Sequence, residues 1–192
     1  QHRVPVVTND ELGVLGDGIN EMTEGLQERE QLRHSLLLAK DIQQALLPAD
    51  DPRVPGLDIA GSSIYCDDTG GDYYDYLLPA NAGDPGIGIV LGDVSGHGIS
   101  SALLMATSRG FLRQRAALPG TIEEIVADVN QQLIRDVVES GSFITMFYLK
   151  IDVGGRRLSW VRAGHDPALV YDPATDHIVA LKGKGIPLGI NE

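Results

Sequence analysis

Two short stretches concentrate the residue types that hold cations: Thr69-Gly70-Gly71-Asp72-Tyr73-Tyr74-Asp75 and Gly92-Asp93-Val94-Ser95-Gly96-His97-Gly98. Each sets a carboxylate against glycines at the end of an apolar, strand-like run. Glycine lets the backbone turn with positive φ and approach a ligand closely. The interval between Asp72 and Asp93 accommodates two strands and a loop, so a hairpin of that size brings both carboxylates to one end of a sheet. Paired aspartates facing a glycine-lined gap suit hard cations such as Mg²⁺ or Mn²⁺, which take oxygen ligands and keep part of their water. Either motif alone reads equally well as a turn aspartate; the two together favour the cation.

The rest of the composition narrows the function. The 192 residues leave room for one domain and an accessory segment, and 43% hydrophobic content supplies a core. The net charge of −12, from 15 basic and 27 acidic residues, argues against nucleic acid, whose backbone requires clustered Lys and Arg. It suits a metal-binding mouth and a solvated acidic surface alike. The single cysteine, Cys66, rules out an internal disulfide framework or a cysteine zinc site and reads as a small core residue. No stretch approaches the roughly 20 apolar residues of a membrane span, and no signal-peptide pattern is present. The segment is therefore expected to be soluble.

The elements that must position these carboxylates follow from periodicity. After an extended entry containing Pro5, Thr8-Asn9-Asp10-Glu11 reads as a capping box with Thr8 as the cap, opening a helix from Leu12 to about Leu47. Its apolar residues Leu12, Leu15, Ile19, Met22 and Leu26 form a narrow seam. The seam stumbles across Glu28 to Gln31 and resumes at Leu32, Leu36, Ala39, Ile42 and Leu46, as in a coiled coil with a local change of winding. Leu47-Pro48 stops it. Strands are expected at Leu57 to Tyr65, Tyr73 to Leu78 and Gly86 to Leu91, with a loop at 79–85. Helices follow at Ile99 to Ala116, where Ala102, Ala106 and Gly110 permit close packing, and after the capping box Thr121-Ile122-Glu123-Glu124. The period then switches to two through Phe143, Thr145, Phe147, Leu149 and Ile151. A Gly154-Gly155 turn leads to a strand at Leu158 to Arg162, and short strands follow near Ala168 to Tyr171 and His177 to Leu181. Strands, a helical pair, then strands is an α+β order.

The opening, through Asp10-Glu11-Leu12-Gly13, Ile19-Asn20-Glu21-Met22 and Leu26, resembles the second helix of a HAMP domain, the relay module of bacterial receptors. That resemblance divides the chain into a partial HAMP at 1–30, a linker helix or coiled coil at 31–47 and a globular domain at 48–192. It implies a piece of a longer, membrane-anchored receptor, with this part cytoplasmic, at the inner face of the cell membrane.

From about residue 40 onward, Ala45-Leu46-Leu47-Pro48, Gly70-Gly71-Asp72-Tyr73-Tyr74-Asp75, Gly92-Asp93-Val94-Ser95-Gly96-His97-Gly98, Ala102-Leu103-Leu104-Met105, Ala163-Gly164-His165 and Gly185-Ile186-Pro187-Leu188-Gly189 occur in order. The series resembles the metal-dependent PPM (protein phosphatase 2C-like) family in its bacterial SpoIIE/RsbU branch. It implies an α-β-β-α sandwich with two Mn²⁺ or Mg²⁺ ions at one edge. It also implies hydrolysis of phosphoserine or phosphothreonine on a protein, typically a STAS-type anti-anti-sigma regulator, by metal-activated water. Carried over, Asp72 is a metal ligand, Asp93 the carboxylate bridging the ions, and Val94 a ligand through its backbone carbonyl. His97 either protonates the leaving oxygen or shapes its loop through a backbone hydrogen bond, the second being preferred. His165 reads as structural, since it lies in a turn between strands far from both aspartates in sequence. Asp75, Asp67 and Asp68 are expected exposed. The family pattern continues into a Thr-Asp-Gly motif that does not occur before Glu192, so the resemblance implies a C-terminally incomplete fold.

Two other readings compete. Gly70-Gly71-Asp72 is similar to the hairpin of GGDEF diguanylate cyclases, but Tyr73-Tyr74 replaces their Glu-Phe and the second carboxylate lies downstream. The other is a non-catalytic coiled-coil signalling module, homodimeric through its N-terminal helix, whose incomplete phosphatase domain only binds a partner.

Overall fold

The computed structural model describes residues 3–64, 70–78 and 86–191, so the expectations for Cys66, Asp67, Asp68 and the loop at 79–85 lie outside the described residues. The chain divides into two compact units, Gln1–Asp41 and Ile42–Glu192.

The first unit is built on helix α1, Glu11–Gln44, whose last turn passes into the second unit. Its start is capped by Asp10 rather than Thr8: Asp10 Oδ1 accepts from the amides of Leu12 (3.1 Å) and Gly13 (3.3 Å), and the Thr8 hydroxyl donates to the same oxygen (2.7 Å). A carboxylate two residues nearer the helix reaches the orphan amides directly and also suits the positive end of the helix dipole. The extended entry folds back along the helix. Asn20 grips Val4 at both backbone groups, accepting from its amide at 2.8 Å and donating to its carbonyl at 2.9 Å. The expected apolar seam is exposed along Leu12, Leu15, Met22, Leu26 and Leu32.

In the second unit, β1 (Tyr73–Leu77), β2 (Gly86–Val94), β3 (Ile144–Asp152) and β4 (Arg157–Ala163) form one antiparallel sheet in chain order. Period-two alternation sends Tyr73, Leu77, Val90, Val94, Ile144, Met146 and Tyr148 to one face. There they meet α2 (Ile99–Ala116) and α3 (Ile122–Val137) through Met105, Leu112, Ile125, Val129 and Leu133. The capping box of α3 forms as its sequence indicates, Thr121 accepting from the Glu124 amide and Glu124 from the Thr121 amide. A second, two-stranded sheet pairs β5 (Ala168–Asp172) with β6 (His177–Leu181). The architecture is the mixed helix-and-sheet fold expected.

The strand expected at Leu57 to Tyr65 is absent over its described part, 57–64. Alternating apolar residues make a strand only where a partner backbone is free to pair. Among the described residues the outer edge of β1 is free to pair, but the segment meets it through side chains instead. Asp51 Oδ1 accepts from the Gly61 amide (3.0 Å) and the Tyr76 hydroxyl (2.9 Å), while the Tyr74 hydroxyl donates to the Gly61 carbonyl (3.1 Å).

Candidate active site

The antiparallel register Tyr73↔Gly92 fixes the position of the two acidic motifs. Asp72 immediately precedes β1 and Asp93 is the penultimate residue of β2, so the hairpin sets the two carboxylates beside one another, both exposed, at one end of the sheet. Partial burial, and then the neighbouring Asp72 charge, push the Asp93 carboxyl above its ordinary pKa, with His165 pulling it back in part. Glycine at 71 has a concrete reason. A Cβ there would lie 2.5 Å from the Val94 carbonyl oxygen and 2.9 Å from Val94 Cβ, so only a bare backbone fits against the end of β2. The Val94 side chain is in the core while its carbonyl oxygen faces Gly71.

The loop after β2 is anchored at its root. The Ser95 amide donates to the Phe143 carbonyl, and the Ser95 hydroxyl accepts from the Phe143 amide, both at 2.9 Å. Gly96 (φ 90°) and Gly98 (φ 81°) then turn the chain into α2, whose first turn carries no side-chain cap. His97 sits exposed between them. The backbone hydrogen bond expected of it is not found among the described residues; the two glycines and Ser95 shape the loop instead.

Three residues take places that the sequence reading did not give them. Asp75 is fully buried, not exposed. It faces α2, where Arg113 donates to it in a bidentate pair (Nε to Oδ2 2.6 Å, Nη2 to Oδ1 2.5 Å) and Arg109 Nε stands 3.4 Å from Oδ2. Its own strand held the signal, since Tyr73, Asp75 and Leu77 alternate onto the face that the helices cover. His165, far from both aspartates in sequence, is brought to the row that holds Asp93. Its Nδ1 lies 2.7 Å from the hydroxyl of Thr145, the cross-strand partner of Asp93. The third is Gln43, 4% exposed, whose amide brackets Gly70: Nε2 donates to the Gly70 carbonyl and Oε1 accepts from the Gly70 amide at 3.3 Å. The only hint of it is a glutamine amid the apolar residues that lead to Pro48.

Two carboxylates and a backbone carbonyl form an all-oxygen donor set for a hard divalent cation. Among the described residues no group of three or more His, Cys, Asp or Glu gathers as a ligand set. Burial first and the adjacent Asp72 charge second disfavour the ionised Asp93 carboxylate, and a divalent cation between the two acids would offset the second of these, so the chemistry of the donor set fits such an ion.

This mixed helix-and-sheet fold matches solved protein phosphatase 2C domains. The SiaA-PP2C domain of Pseudomonas aeruginosa superposes with a TM-score of 0.63 at 20% identity, over 86% of this chain and 65% of that one. The RsbU and RsbW domains of Rv1364c from Mycobacterium tuberculosis give a TM-score of 0.54 at 26% identity, over 71% of this chain and 35% of that one. The family description "Stage II sporulation protein E (SpoIIE)" matches residues 83–192, and the chain belongs to that family. Phosphoserine phosphatase RsbU of Bacillus subtilis is 28% identical over 171 residues, 88% of this chain. The chain spans about half the length of that relative, 48% of it.

Proposed function

We propose that this chain is the catalytic part of a metal-dependent protein serine/threonine phosphatase. The observation that carries this reading is the convergence of Asp72 and Asp93 at one end of the β1–β2 hairpin, with the Val94 carbonyl beside Gly71. These three groups would hold a pair of Mn²⁺ or Mg²⁺ ions. Such ions polarise phosphoryl oxygens and make water nucleophilic at neutral pH. The chain's own residues supply the rest. Asp72 and Asp93 bind as charged ligands, and the uncapped first turn of α2 offers amides to an anion. His97, exposed in the connecting loop, would pass a proton to the leaving oxygen.

The substrate in this reading is a phosphoserine or phosphothreonine on a regulatory protein, a STAS-type anti-anti-sigma factor. The name of the RsbU relative, phosphoserine phosphatase, supports it, as does a structural neighbour that carries RsbU and RsbW domains together. Control would enter through the N-terminal helix, a partial HAMP at 1–30 and a coiled-coil linker at 31–47, paired with a second copy along the exposed seam. Gln43 supports that route, because it sits in the last turn of α1 and holds the segment leading to Asp72. The whole protein would be membrane-anchored, with the phosphatase in the cytoplasm.

The test is Mn²⁺-dependent hydrolysis of a phosphoserine protein. Asp93→Asn should remove nearly all of it, because an amide supplies no bridging charge. Turnover that survives EDTA in the unaltered protein would refute the reading.

A further inference from the structure

The mechanism above leaves unused the hydroxyl and imidazole that stand next to Asp93. Asp93 and Thr145 are paired Cα to Cα across β2 and β3. Side chains directly opposite in an antiparallel ladder share a face, with Cβ atoms about 4.5–5.5 Å apart. Thr145 therefore flanks Asp93 on the side away from Asp72. Its one hydrogen bond among the described residues is to His165 Nδ1, at 2.7 Å.

His165 is held from several directions. Arg162 Nε donates to its carbonyl, and Arg162 Nη1 reaches the Gly183 carbonyl at 3.0 Å. The preceding Gly164 bridges Met146 in β3 and donates its amide to the Gly185 carbonyl at 3.1 Å. Gly164 adopts φ +69°, and a Cβ on it would lie 2.5 Å from Pro187 Cγ, so the chain turns tightly there under the 185–189 segment. A half-buried ring tied down at the backbone before, at and beside it has its Nδ1 aimed at a single hydroxyl.

We infer that Thr145 and His165 are positioning residues for Asp93: His165 donates through Nδ1 to the Thr145 oxygen, which leaves the hydroxyl proton directed at the Asp93 carboxylate. A threonine hydroxyl has one proton to give and two lone pairs, so the imidazole N–H fixes its rotor and the carboxylate receives its proton. Carboxylates that ligate metals are held in this way by outer partners, which set their orientation and so the affinity of the site. The inference rests on the reading of Asp72 and Asp93 as metal ligands, and concerns which of the chain's own groups aim one of them.

The experiment is calorimetric titration of Mn²⁺ into the purified protein, with thermal melting of the metal-free form in parallel. Thr145→Val, which exchanges the hydroxyl for a methyl of similar size, should weaken Mn²⁺ binding about 10-fold, the lower end of what outer partners contribute. Its metal-free melting temperature should not fall. His165→Ala should weaken binding to the same extent. Thr145→Ser and His165→Asn should recover most of the loss, because they keep a hydroxyl and a nitrogen at the Nδ1 position. If Thr145→Val and His165→Ala bind Mn²⁺ as the unaltered protein does while Asp93→Asn does not, the positioning role is overturned and the metal site stands. If Asp93→Asn also binds normally, both fall. Should His165→Ala fail to fold, the Val and Ser variants at 145 decide between these outcomes.

Discussion

Replacing Asp75 by Asn would remove the charge that holds two arginines of α2 against β1 and leave the shape almost unchanged. The Asp75 side chain is 1% exposed, against 18% for Arg109 and 46% for Arg113. Removing one partner of a buried pair costs about 3–5 kcal/mol, because the other charge is left desolvated without compensation. Arg113 can turn toward water, so the lower end applies, about 3 kcal/mol. In a unit of this size that corresponds to a melting temperature lower by roughly 6–12 °C. The reverse change, Arg113→Ala, should cost distinctly less, since the carboxylate keeps Arg109 and the amide of Tyr76, which donates to Asp75 Oδ1 at 2.9 Å. Urea unfolding of both variants and of the double variant measures the asymmetry and the coupling between the two residues. Asp75→Asn within about 0.5 kcal/mol of the unaltered protein, the range of an ordinary surface change, would refute the buried-pair account. Equal losses in the two single variants would refute the assignment of the residual partners.

Three further outcomes follow from the same contacts. Gln43→Ala should destabilise the second unit by about 1–3 kcal/mol, because it strips both backbone groups of Gly70 of their partner, and it should weaken Mn²⁺ binding by loosening the approach to Asp72; unchanged metal affinity would detach Gln43 from the site. If α1 pairs with a second copy as proposed, Leu36→Glu with Ile42→Glu should turn that dimer into a monomer in sedimentation, and an unaltered protein already monomeric at micromolar concentration would refute the pairing. Desolvation first, and then its hydrogen bond to Asp51, push the Tyr76 phenol up to about 12 from 10.0. The proton is therefore kept in the folded state where the unfolded chain has lost it: the contribution is whole below pH 10 and is lost as pH rises through 12, which absorbance titration against Tyr76→Phe will show.

What was legible in the sequence was local. The capping box at Thr121 and Glu124 formed because both partners lie within one turn, and the period of two from Phe143 to Ile151 became β3 because alternation needs only a sheet with one covered face. Position 10 outcompeted position 8 as a cap on reach alone. The segment after Leu57 has the residues of a strand, but it meets β1 through the hydroxyls of Tyr74 and Tyr76, with Asp51 holding the Gly61 amide, rather than through a backbone ladder. His165 could not be placed from its own surroundings. Its neighbour Thr145 lies 20 residues earlier, and the contact exists only because the β3–β4 hairpin returns the chain to the row that holds Asp93. Gln43 and Gly70 are separated by 27 residues, and no periodicity connects them.

The strand β1 shows why two aspartates three positions apart came to such different ends. With a period of two, Asp72 shares its side of the strand with Tyr74 and Tyr76, while Asp75 shares the other with Tyr73 and Leu77. Asp72 therefore remains at the open end of the hairpin beside Asp93, and Asp75 is driven under the helices, where two arginines and the Tyr76 amide compensate its charge. Those arginines stand on α2, which begins directly after the loop that carries Ser95 and His97. A shift of α2 along its axis would thus act on both ends of the site at once, pulling the loop after Asp93 through its first turn and β1, with Asp72, through Arg109 and Arg113. The buried pair ties β1 to α2 on the face opposite Asp72 and Asp93.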